Sequence, residues 1–301
     1  MSSSNYLDRA EGALLGLAIA DALGTTLEFS ARDSHAPLTD IVGGGPFALP
    51  AGAWTDDTSM ALCLAASLQQ HKQLDPHDCM SRFVNWWRYG YLSATGECFD
   101  IGGVTRDALA RYEASGNPFA GPIEANTAGN GSLMRLVPVV IAARADRQRA
   151  LRDAAAQSRL THGAAEAVEA CVYFAALLFE ALHGAGPEAV LRPRLLPEDL
   201  PERLRRCAST DWRLVGRDEI SSSGYVMHTL EAAMWAVSQS TCFREAVIHA
   251  VNLGGDADTI GAVTGQLAGA LWGRSNIPST WQHKVLWGDS IIATARSLAL
   301  D

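Results

Sequence analysis

Apolar residues recur along this chain with the period of a helix. Met60, Leu64 and Leu68 fall four apart, and Val226, Leu230 and Met234 repeat the spacing. Residues at that interval share one helix face. Ile248 and Val251 continue the pattern more weakly, and Ala-rich stretches at 154–157, 164–182 and 293–300 add helix propensity. Alternating runs long enough for a strand are scarce. The pattern predicts an all-α protein of ten or more helices, packed as one compact multi-helix domain over residues 1–301. Glycine- and proline-bearing breaks at 43–47, 115–118, 184–187 and 221–224 are turns of a few residues rather than linkers. Residues 191–211 mix Pro, Arg and Glu and read as surface. Gly261, Gly265 and Gly269 form an i+4 stripe, which predicts two helix backbones in close approach.

Two apolar runs bear on location. Residues 12–24 are short for a span and are interrupted by Asp21; residues 170–179 are only ten long, between Glu169 and Glu180. Neither is expected to cross a bilayer. The start lacks the basic and apolar regions of a signal peptide. The six cysteines include no CxxC pair, which sets aside zinc-ribbon and thioredoxin readings. Free thiols in apolar helices suit a reducing compartment, so the expectation is a cytoplasmic monomer.

Charge narrows the function. Lys and Arg number 24 against 33 Asp and Glu, a net charge of -9. A protein that binds nucleic acid by neutralising phosphates carries the opposite sign. Clustered carboxylates suit divalent cations instead. Two clusters stand out. Thr55, Asp56, Asp57 and Thr58 directly precede an amphipathic helix, as Asp256, Asp258 and Thr259 do after Gly254 and Gly255. Each alone reads as a helix cap with acids at the positive end. The two glycines weaken that reading for the second cluster, because they allow an unusual backbone path. Four carboxylates meeting at one point would repel strongly without a cation. Together they would hold two metals roughly 3.5–4 Å apart, as in binuclear hydrolytic sites.

Between the clusters, Gly129, Asn130, Gly131, Ser132 and Arg135 are read as the opening of a helix, where exposed N–H groups would suit a phosphate. The remaining histidines, among them His71, His77 and His228, carry no assigned role.

The ordered set of motifs resembles the ADP-ribosylglycohydrolase family, including its dinitrogenase reductase-activating branch. The matching segments lie at 12–24 through Glu28 and Phe29, 55–58, 99–106, 129–135, 161–162, 223–225 and 251–261, and cover nearly the whole chain. One departure is Ala20, where the family has Gly; it touches local packing. The resemblance implies an all-α fold with a binuclear Mg or Mn site in a cleft. It places metal ligands at Thr55, Asp56, Asp57, Asp256, Asp258 and Thr259. It makes Glu28 an acid or base beside the metals and Asp100 an acid at the scissile end of the substrate. Asn130, Gly131, Ser132 and Arg135 fall on a phosphate-binding loop, and His162, Gly224 and Tyr225 on contacts to the adenosine side.

The implied activity is hydrolytic removal of ADP-ribose from a modified acceptor, first of all arginine on a protein. ADP-ribosylated proteins and ADP-ribose-containing small molecules are the expected partners, and modified nucleic acid ends remain open as acceptors. Two other functions fit the acidic clusters: a divalent-metal nucleotide phosphohydrolase, and a non-catalytic ADP-ribose binder.

Overall fold

The computed structural model describes residues 3–300. It contains α1 (Ser3–Gly24), α2 (Asp56–His71), α3 (Pro76–Tyr89), α4 (Gly103–Ser115), α5 (Val137–Ala143), α6 (Arg147–Thr161) and α7 (Ala165–Leu182). There follow α8 (Pro187–Val190), α9 (Glu202–Ser209), α10 (Val226–Ser238), α11 (Phe243–Val251), α12 (Ala257–Trp272), α13 (Ser279–Lys284) and α14 (Gly288–Leu300). Among the described residues the only β pairing is two isolated bridges, Gly44 with Leu49 and Gly129 with Tyr225. The all-α expectation is met.

The molecule is organised around α1. From Ala10 to Leu23 this helix is buried on every side, including Asp21. A helix that is apolar all round belongs in a core. By length and hydropathy, residues Ser4–Leu27 would also suffice to cross a membrane, a longer candidate than the 12–24 run alone. Here the helix is buried against protein from Ala10 onward, chiefly against α12, with α14 alongside.

The pairing of α1 with α12 is antiparallel and unusually close. The absent side chains make it possible. A Cβ placed on Gly265 would lie 2.1 Å from the Gly16 carbonyl oxygen, and one on Gly269 would lie 2.0 Å from that of Gly12. Gly24 meets the Ala257 carbonyl in the same way, at 2.4 Å. The stripe on α12 therefore faces a matching row on α1. Ala20 falls within this seam: its own Cβ would be 2.8 Å from one added to Gly265, and its backbone lies against Gly261. The end of the seam at Gly24 and Ala257 is where the chemistry collects.

The region 191–211 is only partly surface. It contains α9, whose Leu204, Cys207 and Ala208 pack inward. All six cysteines are free.

Candidate metal centre and cleft

Asp21, read in the sequence only as an interruption of an apolar run, builds the first half of the site. Its carboxylate is fully buried and accepts four groups from the start of α2. The Thr55 N–H (3.0 Å) and Thr55 Oγ1 (3.0 Å) donate to Oδ1. The Thr58 N–H (3.1 Å) and Thr58 Oγ1 (2.6 Å) donate to Oδ2. The N-terminus of α2 is thus capped from another helix. Thr55 makes no side-chain cap bond of its own, against the simple capping reading of the sequence. With the cap supplied from α1, Asp56 and Asp57 are free for other work.

Glu28 does the same for α12. After a short 3-10 turn (Thr25–Leu27), its Oε2 accepts the Ala257 N–H at 2.8 Å. Carboxylates at a helix N-terminus are favoured by its exposed N–H groups and partial positive charge. Asp258 Oδ1 takes the Thr259 N–H (2.8 Å), and Thr259 Oγ1 reaches Asp57 Oδ2 at 3.4 Å. Thr55 Oγ1 also lies 3.2 Å from Asp57 Oδ2. The two acidic clusters, two hundred residues apart in the chain, therefore touch.

Carboxylate oxygens of Asp21, Asp57 and Asp258 lie within 4.8 Å of one another, as do those of Glu28, Asp256 and Asp258. Asp258 belongs to both groups. Whether the residues suit a cation is decided by what their atoms lack. Asp57 Oδ1 and Asp258 Oδ2 are buried with no hydrogen-bond partner. Leaving such an acceptor dry and unpaired costs about 1–3 kcal/mol, more when charged. A divalent ion with hard-oxygen preference satisfies both. Asp21 differs, because its oxygens are already occupied by Thr55 and Thr58. It orients those threonines and neutralises no orphan.

The electrostatics agree. Burial, then neighbouring carboxylates, push Asp56, Asp57 and Asp258 well above the ordinary range. Burial raises Glu28 to about 7 and Asp100 to about 8. A bound cation reverses this balance by favouring the ionised forms.

All of these acids but Asp57, which is buried like Thr55, open into a cleft of about 710 Å³. Glu28, Asp56, Asp100, Asp256, Asp258 and Thr259 all line it. So do Asn130, Gly131, His162 and Gly224. The Asn130 amide donates to Asp256 Oδ2 (2.7 Å) and Thr229 Oγ1 (2.8 Å), so it fixes an acid rather than standing free. Gly131 leaves room for the His162 ring: a Cβ there would lie 2.8 Å from Cε1. His162 is buried, and burial followed by the nearby Arg135 charge lowers it to about 3. The imidazole is neutral and cannot serve as a cation for phosphate.

Other positions fall elsewhere. Arg135 is completely buried behind the cleft. Its Nε donates to Gln157 Oε1 (3.0 Å), and its Nη2 to Gln157 O (3.0 Å) and Thr161 Oγ1 (2.8 Å). Its guanidinium also lies over the Phe83 ring at 4.5 Å. Ser132 is equally buried, with its hydroxyl 2.8 Å from that of Ser158. Neither lines the cleft. The reason is local: residues 131–135 form a turn, and α5 begins only at Val137. Tyr225 lines an adjoining groove of about 490 Å³ that shares Val104, Gly129 and Gly224 with the main cleft, and its hydroxyl donates to Glu166 Oε2 at 2.6 Å.

An all-α fold with convergent buried acids along a cleft defines a candidate metallohydrolase. The chain belongs to the ADP-ribosylglycohydrolase family, whose profile it matches over residues 2–301. It is 46% identical to the ADP-ribosylarginine hydrolase Tri1 of Serratia proteamaculans, over 98% of this chain and 80% of that one. It is 47% identical to the protein of the same name from Pseudomonas putida, over 99% and 80%. It is 32% identical to the ADP-ribosyl-[dinitrogen reductase] glycohydrolase of Rhodospirillum rubrum, over 95% and 92%. Among solved structures it resembles an "ADP-ribosylglycohydrolase-related protein complex", with a TM-score of 0.87 and 43% identity over 98% of both chains.

Proposed function

We propose that this chain, acting as a single domain, removes ADP-ribose from modified arginine side chains with the help of two divalent cations, Mg or Mn. The observation that carries the reading is the meeting of Asp56 and Asp57 with Asp256 and Asp258, two of whose buried oxygens lack any partner. The names of the relatives at 46–47% identity support arginine as the acceptor.

Thr55, Asp56, Asp57, Asp256, Asp258 and Thr259 would hold the cations. Divalent ions in such a set supply Lewis-acid charge and lower the pKa of water. The chain does the rest. Cleavage of the ribose–guanidine bond passes through an oxocarbenium-like state, which anionic walls on the cleft stabilise. Glu28, held by the N–H of Ala257, would move a proton to or from the attacking water. Asp100 lines the same cleft and can pair with the departing guanidinium through a two-pronged hydrogen bond. Asn130 holds Asp256 in place, and Gly131, His162 and Gly224 leave a smooth wall for the nucleotide. Binding of that remote part helps position the scissile bond.

The test is a panel of ADP-ribosylated arginine, serine and nucleic-acid substrates, each with Mn, Mg or chelator. Divalent-dependent release of ADP-ribose from the arginine substrate is expected. Release of inorganic phosphate instead would favour a phosphohydrolase, and tight ADP-ribose binding without turnover would favour a silent binder.

A further inference from the structure

Phe29 directly follows Glu28 and is hard to justify by folding alone. Its side chain is 69% exposed at the edge of the cleft, which it lines. Its backbone has φ +59°, a conformation that side-chain-bearing residues rarely adopt and that costs on the order of 1 kcal/mol. The segment is nevertheless held rigid. The Phe29 N–H donates to Gly255 O (2.7 Å), and the Gly255 N–H donates to Ser30 O (2.8 Å). A strained backbone, pinned on both sides to present an apolar ring to solvent, gives folding little in return.

The ring is not alone. Phe29 meets Phe47 edge-on at 6.3 Å, and Phe47 meets Phe99 at 5.4 Å. Phe99 precedes Asp100, which also has φ +59°. The aromatic row therefore links the two loops that carry the cleft acids Glu28 and Asp100. Phe47 sits on a turn closed by the Gly44–Leu49 bridge and tied to the 3-10 turn after α1 through Thr26 Oγ1, which donates to Gly43 O at 3.0 Å.

Aromatic faces beside carboxylates form a receptor for a planar cation. A guanidinium stacks on a ring while its edge donates to an acid. We propose that Phe29, backed by Phe47 and Phe99, is the acceptor clamp: it stacks on the guanidinium of the modified arginine and so favours arginine over uncharged acceptors. This deepens the function proposed above and rests on it. Phe29 acts in recognition and takes no part in proton transfer.

The experiment compares Phe29→Leu, Phe29→Gly and Phe29→Trp with the wild type. Steady-state kinetics are measured on ADP-ribosylated arginine and serine peptides, and ADP-ribose affinity by calorimetry. Phe29→Leu keeps the strained backbone and removes the ring; Phe29→Gly removes both. Both are expected to raise KM for the arginine peptide about tenfold with kcat little changed, as for loss of one partly desolvated cation–π contact. ADP-ribose affinity and any serine turnover should stay as in the wild type, and Phe29→Trp should restore KM. Unchanged KM in Phe29→Leu, equal losses on both peptides, or weakened ADP-ribose binding would overturn the clamp. A wild-type chain that releases no ADP-ribose from the arginine peptide would instead overturn the underlying function.

Discussion

Substituting Gly265 by alanine tests whether the α1–α12 seam governs stability. The added Cβ would sit 2.1 Å from Gly16 O and 2.6 Å from Gly16 C. Both are backbone atoms, so no rotamer change relieves the clash. Ordinary contact requires about 3.4 Å or more, so the two helices must separate locally by roughly 1 Å. Overpacking of this kind costs about 1–3 kcal/mol, occasionally more. The intrinsic preference of alanine for helix returns about 1 kcal/mol. Rigid backbone on both sides places the cost at the upper end, so a net loss of about 2 kcal/mol is expected. For a chain of this length the unfolding entropy is about 0.6 kcal/mol/K, which makes the shift about 3 °C downward in Tm. Urea melts should show a lower midpoint at unchanged slope. Gly186→Ala is the control, because a Cβ there meets open space; it should melt within about 1 °C of the wild type. A Gly265→Ala protein as stable as the wild type would refute the reasoning.

Asp258→Asn removes one charge from the acidic cluster. In chelator it is expected to melt at or above the wild-type temperature, and calorimetry with Mn should show binding weakened at least about tenfold; wild-type Mn affinity would exclude Asp258 as a ligand. Arg135→Met should destabilise by about 1–3 kcal/mol in urea melts, since Gln157 and Thr161 lose their donor, while ADP-ribose affinity stays unchanged. A loss of affinity with normal stability would return Arg135 to the phosphate site. His162 sets a pH dependence. Its folded pKa of about 3 lies below the unfolded value of 6.5, so the unfolded chain binds more protons between them. Its contribution is complete above pH 6.5 and falls as acid is added, by about 2 kcal/mol at pH 5. The raised carboxylates act with the opposite sign in that range. The check is therefore the wild type minus His162→Gln, by urea melts at pH 7 and 5, and a difference that does not change with pH would contradict it.

Much of the site was legible because its acids sit at helix starts beside small or hydroxyl residues. Thr55–Asp57 and Asp256–Thr259 carry that local signature, and the glycine stripe at 261, 265 and 269 marked the seam. Asp21 was not legible. It looks like an interruption in an apolar run, and its value depends on donors 34 and 37 residues away. The inward placement of the Arg135 and Ser132 side chains was hidden for the converse reason. Their spacing suits an anion loop, but the turn at 131–135 directs both side chains inward, where Gln157, Thr161 and Ser158 hold them. Phe29 gave no warning either, since positive φ at a phenylalanine cannot be read from composition.

The two trans caps come from one short stretch, Asp21 on α2 and Glu28 on α12. Glu28 and Ala257 are 229 residues apart. Closing a loop of that length carries a large entropic cost that local helix formation does not offset. During synthesis the first helix is made early and must wait, sheltered or loosely placed, for the partner that completes it. Cation-binding capacity should therefore appear late and all at once in refolding, after most helical signal has been regained, so the ion cannot serve as the nucleus around which this chain folds.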